Sequence, residues 1–317
     1  MPTSQNQIDL FSYFGIKPEV RETHTPLFKF LNNCCLFFYG KTKDTDFQIQ
    51  RQFEYENRKL FITIQRQRGI KNNKIIYDNF LNYQDEKIFH TLMFQCINGN
   101  HQTMLSNNNV ILKTSIYKIK KDYDKGLSTQ FIKSSLDKLL TCKITIEDEQ
   151  KILEWQKNTS IIKEFIHNKK TNELFISFSE DVSKEILKIT EDTRKKEIAL
   201  ANYRTIIDIR SPMANYIYKT LIFNHNNYSS TDPTRQQFHQ YNIWHFLKQG
   251  GFTFSNKTEK QNIKRQFLKA VEELQSKEII YFCSCFNEPT PDEVLFYLTK
   301  ETVKENYNQK PFIPKTF

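Results

Sequence analysis

Glycine and proline are scarce in this chain, with 7 and 9 among 317 residues, so low-complexity linkers have little room. The six cysteines (Cys34, Cys35, Cys96, Cys142, Cys283 and Cys285) form no C-x-x-C pair and no zinc-finger spacing. That excludes a recognisable structural zinc site, and no metal or other cofactor is expected. Cys283 and Cys285 would share one face of a strand and read as reduced core thiols. The greasiest stretch, CCLFFY at 34–39, is far short of the ~20 apolar residues that cross a bilayer. Residues 1–20 carry Asp9, Lys17 and Glu19 with no apolar run, so no secretory leader is expected there. These absences together point to a cytoplasmic protein without disulfides or a membrane partner.

Hydrophobic residues make up 38% of the chain and aromatics 14%, including 27 Phe, enough for two domains that each bury a core. The formal net charge is +10. Its placement matters more than its total. Between Lys113 and Lys138 stand seven Lys against three Asp, and between Ser255 and Ala270 stand four Lys and one Arg against Glu259. A patch of that kind attracts a phosphate backbone and releases its condensed counterions. One lysine-rich helix face is ordinarily just a solvated surface; two, on the same structural pattern, favour nucleic acid.

The pattern is helix, turn, helix, strand, wing, strand. It runs first from Ile111 to Ile146 and again from Gln240 to Phe286. Thr114 or Ser115 would cap the first short helix, and the turn contains Gly126. The helix after it carries a stripe of Phe131, Ile132, Leu136, Leu139 and Leu140. The strand CKITI follows, and SIIKEFIH and ELFISFS flank a polar turn at 168–172 that reads as a wing. In the second module the turn is Gly250-Gly251. Thr258 and Gln261 form a T-x-x-Q capping pattern, and Ile263, Phe267, Ala270, Val271 and Leu274 give the core stripe. Ser211-Pro212 opens the helix before it. Upstream, FQIQRQFEY and KLFITIQRQ predict a hairpin around Glu56-Asn57-Arg58, and a helix is predicted from Asp85. The expected architecture is α+β, two tandem winged-helix domains behind an N-terminal flexible tail. The boundaries read as 1–20 for the tail, 21–195 for the first domain with its hairpin, and 196–317 for the second.

In a helix-turn-helix the second helix enters the major groove, and its N-terminal outward residues reach base edges. Subtracting the stripes leaves Ser128, Thr129, Gln130, Lys133, Ser134 and Lys138 in the first module. The second offers Asn256, Lys257, Lys260, Gln261, Lys264 and Arg265. Gln and Asn can pair with adenine and Arg with guanine, while Lys, Ser and Thr mostly hold phosphates. Gln261, Lys264 and Arg265 are the expected sequence readers. Lys169 and Lys170 make the first wing a backbone contact, whereas the second wing turn, 287–293, is acidic and would be repelled.

Two patterns that look catalytic fall short. Gly40-Lys41-Thr42 lacks the glycine five residues earlier that a phosphate loop needs, because Cys35 stands there. Tyr216-Ile217-Tyr218-Lys219 has the Y-x-x-K spacing of a nicking tyrosine, yet none of the seven His forms the His-hydrophobic-His metal site such enzymes use. Tyr216 and Tyr218 read as packing residues, and no catalytic residue is expected.

Gln7-Ile8-Asp9-Leu10-Phe11 resembles the pentapeptide by which bacterial proteins bind the sliding clamp. Leu10 and Phe11 would fill an apolar pocket, and Gln7 would bond at its edge. With QDEKIFHTLMFQ, FIKSSLDKLLTCKITI and RSPMANYIYKTL, the chain resembles the iteron-binding replication initiators of theta-replicating bacterial plasmids, most nearly the TrfA type, over roughly residues 80–300. That resemblance implies two winged helices on repeated duplex sites at an origin, recruitment of host replication proteins, and a homodimer that is inactive or represses. A transcriptional regulator built from the same modules is one alternative. A Tyr-dependent rolling-circle nickase is the other.

Overall fold

A computed structural model describes residues 23–28, 37, 47–55, 58–66, 68–71, 74–77, 80–98, 102–107, 109–124, 126–148, 157–187, 198–227, 238–286 and 292–302. The Gln7–Phe11 pentapeptide, Gly40-Lys41-Thr42 and residues 287–291 of the second wing turn lie outside the described residues. The chain divides into two compact units. One comprises Met1–Pro26 with Leu36–Lys195, and the other Leu27–Cys35 with Lys196–Phe317. The first described strand is β1 (His24–Phe28), and β12 (Ile198–Asn202) is the first described element after Lys196.

The predicted hairpin forms. Strands β2 (Gln48–Tyr55) and β3 (Arg58–Gln65) pair antiparallel from Gln48↔Gln65 to Tyr55↔Arg58. A smaller hairpin, β4 (Arg68–Lys71) with β5 (Lys74–Tyr77), follows. Helix α1 (Tyr83–Ile97) begins two residues before the expected Asp85, because Asn82 is its cap. Asn82 accepts from the Gln84 and Asp85 backbone N–H groups, and Asp85 accepts in return from the Asn82 N–H, a reciprocal capping box. Every residue of α1 except Gln84 is buried. Strands β6 (Gln102–Ser106) and β7 (Asn109–Thr114) then form a hairpin that the sequence reading did not separate from its surroundings.

The helix-turn-helix follows as α2 (Ile116–Asp122) and α3 (Thr129–Thr141), capped by Ser115 and Ser128. Strand β8 (Lys143–Asp148), the CKITI segment, does not enter the wing. It pairs with β3 and β9 (Lys157–Thr159), giving a sheet of order β2-β3-β8-β9. The wing is β10 (Ile162–Asn168) and β11 (Glu173–Phe178), the two strands expected on either side of the turn at 168–172, and β11 continues onto β7 and β6. Helix α4 (Glu180–Leu187) closes the unit, and its Ser183 hydroxyl accepts from the Val110 N–H.

In the second unit α5 (Tyr203–Asp208) leads to α6 (Pro212–Asn227), which starts at the expected proline with the Ser211 Oγ accepting from Ala214. Strand β13 (Phe238–Asn242), also unanticipated, precedes α7 (Ile243–Gln249) and α8 (Lys257–Ser276). Then come β14 (Ile280–Cys285) and β15 (Glu293–Leu298), in a sheet of order β13-β15-β14. The helix α8 starts earlier than T-x-x-Q predicts. Asn256 caps it by accepting from the Glu259 N–H, and the Glu259 carboxylate takes the Ser255 N–H and hydroxyl. Its far end is a Schellman turn: Ile279 N–H donates to Leu274 and Glu278 N–H to Gln275, with Ile279 and Leu274 buried together. The left-handed residue there is Glu278, at φ 56°.

The Asp85 carboxylate is fully buried and holds the Ser135 hydroxyl at 2.7 Å and the Lys138 ammonium at 2.9 Å. Asp85→Asn strands that ammonium and should lower unfolding free energy by about 3 kcal/mol in urea titration. Glu278→Gly removes the left-handed penalty on a side-chain-bearing residue and should raise stability by about 1 kcal/mol in the same assay.

Candidate nucleic-acid interface

The second module is built on an aromatic base. The turn between α7 and α8 runs over the Tyr216 ring, so close that a Cβ on Gly250 would meet it at 2.6 Å. Gly251 takes φ 80°, which glycine alone adopts without strain. Tyr216 is 5% exposed, its hydroxyl donates to the Phe246 carbonyl at 2.9 Å, and its ring packs on Phe246 and Phe252. Tyr218 is likewise buried and its hydroxyl accepts from the Asn202 N–H. Tyr216 therefore supports the helix-turn-helix from below, and Tyr218 ties α6 to Asn202 at the start of α5.

All five residues of the expected stripe, Ile263, Phe267, Ala270, Val271 and Leu274, are buried. Opposite them, Thr258, Gln261, Arg265 and Leu268 are exposed at spacings of three and four residues, one continuous outer face. Lys257 and Lys264 are exposed on its flank and Lys260 is half-buried. The Lys260 ammonium lies 4.2 Å from the centre of the Trp244 ring, and the Lys264 ammonium 4.1 Å from that of Phe286. These rings touch: Trp244 packs on Phe254 and Phe286, and Phe286 on Phe267. The lysines are thus steered sideways by their aromatic seats. Gln261 and Arg265 keep the outward position, while Lys264 departs from the expected reading face. Asn256 is exposed, but its side-chain oxygen is engaged in capping.

The first module differs more from expectation. Thr129, Gln130 and Ser134 are exposed on the outer face of α3, and Lys133 is half-buried beside them. Ser128 is exposed, with its hydroxyl accepting from Phe131 as the helix cap. Lys138 does not face outward. Its side chain is 15% exposed and bonded to both Asp85 oxygens, because α1 brings a buried carboxylate against that side of α3. Within the stripe, Ile132, Leu136 and Leu139 are buried with Ser135, whereas Phe131 and Leu140 are only half-buried. Further polar ties orient this module: Gln95 donates to Asp122 and accepts from Thr114, and the Tyr123 hydroxyl donates to Gln84. Lys169 and Lys170 are exposed at the wing tip, where the Asn168 side chain accepts from the Lys170 and Thr171 N–H groups.

The described acids of the second wing turn are engaged internally. The Asp292 carbonyl accepts from the Ile243 N–H, its carboxylate accepts from the Trp244 indole, and Glu293 accepts from Gln240. Hydrogen bonds from the Ser255 backbone and hydroxyl hold the Glu259 carboxyl below the usual carboxylate range. Cys283 and Cys285 are half-buried free thiols on one strand, in register with Phe296 and Val294. The Cys283 thiol is raised by its bond with Cys285 and by burial, and the Cys285 thiol is lowered by that bond and by Lys264 nearby. Burial raises the Cys142 thiol to about 12. Among the described residues, no group of three or more His, Cys, Asp or Glu could hold a metal ion, and no helix is long and apolar enough to cross a membrane. The sequence reading missed Trp244, Phe254, Phe286 and Leu268. An exposed leucine at the spacing of Gln261 and Arg265 was the available signal for the last.

No protein-family model and no curated protein matches the sequence. Solved structures do match. Domains 2 and 3 of RctB superpose with a TM-score of 0.54 at 10% identity, covering 84% of this chain and 98% of that one. The Pi initiator protein, solved in complex with iteron DNA, matches with a TM-score of 0.50 at 11% identity, covering 88% of this chain and 99% of that one. At such identities the likeness is one of fold. The chain is a tandem winged-helix protein, similar in fold to domains 2 and 3 of RctB and to the Pi initiator protein.

Proposed function

We propose that this chain is a replication initiator that binds repeated duplex sites at an origin through its two winged helices. The observation that carries this reading is the outer face of α8, where Gln261 and Arg265 project from a helix whose apolar back is wholly buried. Bidentate pairing of Gln with adenine and Arg with guanine reads sequence. Lys257, Lys260 and Lys264 line the flank, where phosphates would run. Exposed Lys169 and Lys170 give the first wing the same backbone role. The fold shared with a protein crystallised on iteron DNA supports the reading.

The finer parts rest on sequence. The Gln7–Phe11 pentapeptide would recruit the bacterial sliding clamp, other host replication proteins would follow, and monomers and homodimers would divide binding from repression. The protein would act in the cytoplasm, on plasmid DNA, without cofactor or catalytic step. A nicking role for Tyr216 is disfavoured by its burial and by its bond to Phe246. A transcriptional regulator would use the same two modules but would not need the clamp peptide.

Arg265→Ala should cost about 1–3 kcal/mol at one base position, and Lys133→Ala should weaken all sequences alike, as read by quantitative band-shift on variant sites at fixed salt. Equal, sequence-blind losses from both would remove α8 as the reading helix. In a pull-down with purified clamp, Leu10→Ala with Phe11→Ala should abolish capture while leaving DNA affinity unchanged. Capture that survives the double change would remove the clamp assignment and favour the regulator.

A further inference from the structure

Leu268 stands out on α8. Five apolar residues already fill the core side of this helix, and Leu268 is not among them. It is 38% exposed and lies outside that core stripe, on the same outer face as Gln261 and Arg265. The other large exposed hydrophobics among the described residues, Phe47, Tyr117, Ile166, Phe254 and Tyr281, all lie off this helix. Leu268 follows Gln261 by seven residues and Arg265 by three, so the three side chains emerge along one line. That line spans about 10 Å at ~1.5 Å rise per residue, within a major groove about 12 Å wide. Lys269 is exposed on the flank beside it, and along the same line the next residue is Glu272, exposed and repelled by phosphate, which bounds the groove-facing stretch.

Within a major groove one base edge offers an apolar surface, the C5-methyl of thymine. We infer that Leu268 is a specificity-determining residue whose side chain packs on a thymine methyl beside the base read by Arg265. This rests on the proposed function and adds the chemistry of one base. It also separates the two modules. Matching Leu136 with Val271 sets Lys133 at the place of Leu268, so the first helix offers a phosphate-seeking cation where the second offers a methyl-seeking aliphatic.

The experiment begins with selection of duplexes from a random library by the full chain. Each thymine of the enriched sequence is then replaced by deoxyuridine, which removes only the methyl. At one thymine, within about three base pairs of the position made tolerant by Arg265→Ala, wild-type affinity should fall about fourfold, the worth of one buried methyl. Leu268→Ala, a surface change, should bind the thymine duplex about as weakly and lose nothing more on deoxyuridine. Leu268→Met should keep the sensitivity. Wild-type indifference to every deoxyuridine, or an undiminished sensitivity in Leu268→Ala, overturns the inference and leaves the initiator reading intact. A library that yields no enriched sequence removes both.

Discussion

A reading helix can present its polar face only as firmly as its apolar back is held, and in α8 that hold is aromatic and aliphatic burial. Phe267 is fully buried between the rings of Phe286 and Phe296, and Ile263, Ala270, Val271 and Leu274 extend the same seam. Each large side chain so buried contributes about 1.5–3 kcal/mol, against a few tenths for a typical surface ion pair. Stability therefore comes from one side of the helix, and the charges on the other are left to a partner. A second tie sets its direction: the Glu273 carboxylate accepts from the Arg210 and Ser211 N–H groups at the start of α6.

The first module meets the same requirement with polar groups. Its reading helix α3 is fastened to α1 through Asp85, Ser135 and Lys138, and its flanking helix through Gln95 and Asp122. Buried ion pairs are costly to desolvate and costlier to break, so they lend geometry more than net stability. They also consume charge. The two lysine-rich windows carry the same excess of four, yet Lys138 is ion-paired with Asp85 and Lys113 with Glu173 at 2.7 Å. In the second window Lys260 and Lys264 rest on rings, which orient an ammonium without cancelling it. Equal charge in the sequence thus becomes unequal positive surface in the fold.

The same contacts explain the acidic second wing. Asp292 and Glu293 look like an obstacle to phosphate while they are only letters in a turn. In place, Asp292 secures the first residues of α7 and Glu293 ties β15 to β13 through Gln240. The Asp292 bond also orients Trp244, the ring on which Lys260 lies.

Local chemistry is what the sequence determined by itself. Helix periodicity set the α8 stripe, Ser115 and Ser211-Pro212 set two helix starts, and β-formers around 56–57 set the first hairpin, because each depends on neighbours within a few residues. Tertiary structure decided the rest. Whether CKITI joined the wing or the hairpin sheet depended on which edge was open to its hydrogen bonds, and β3 supplied it. The inward turn of Lys138 came from a carboxylate 53 residues away. The left-handed end of α8 fell on Glu278, where no glycine marks it, because burial of Ile279 and Leu274 and the two hydrogen bonds that close the turn outweigh the local strain. Pattern names the faces of a helix; only long-range packing determines which of its charges remain available to a ligand.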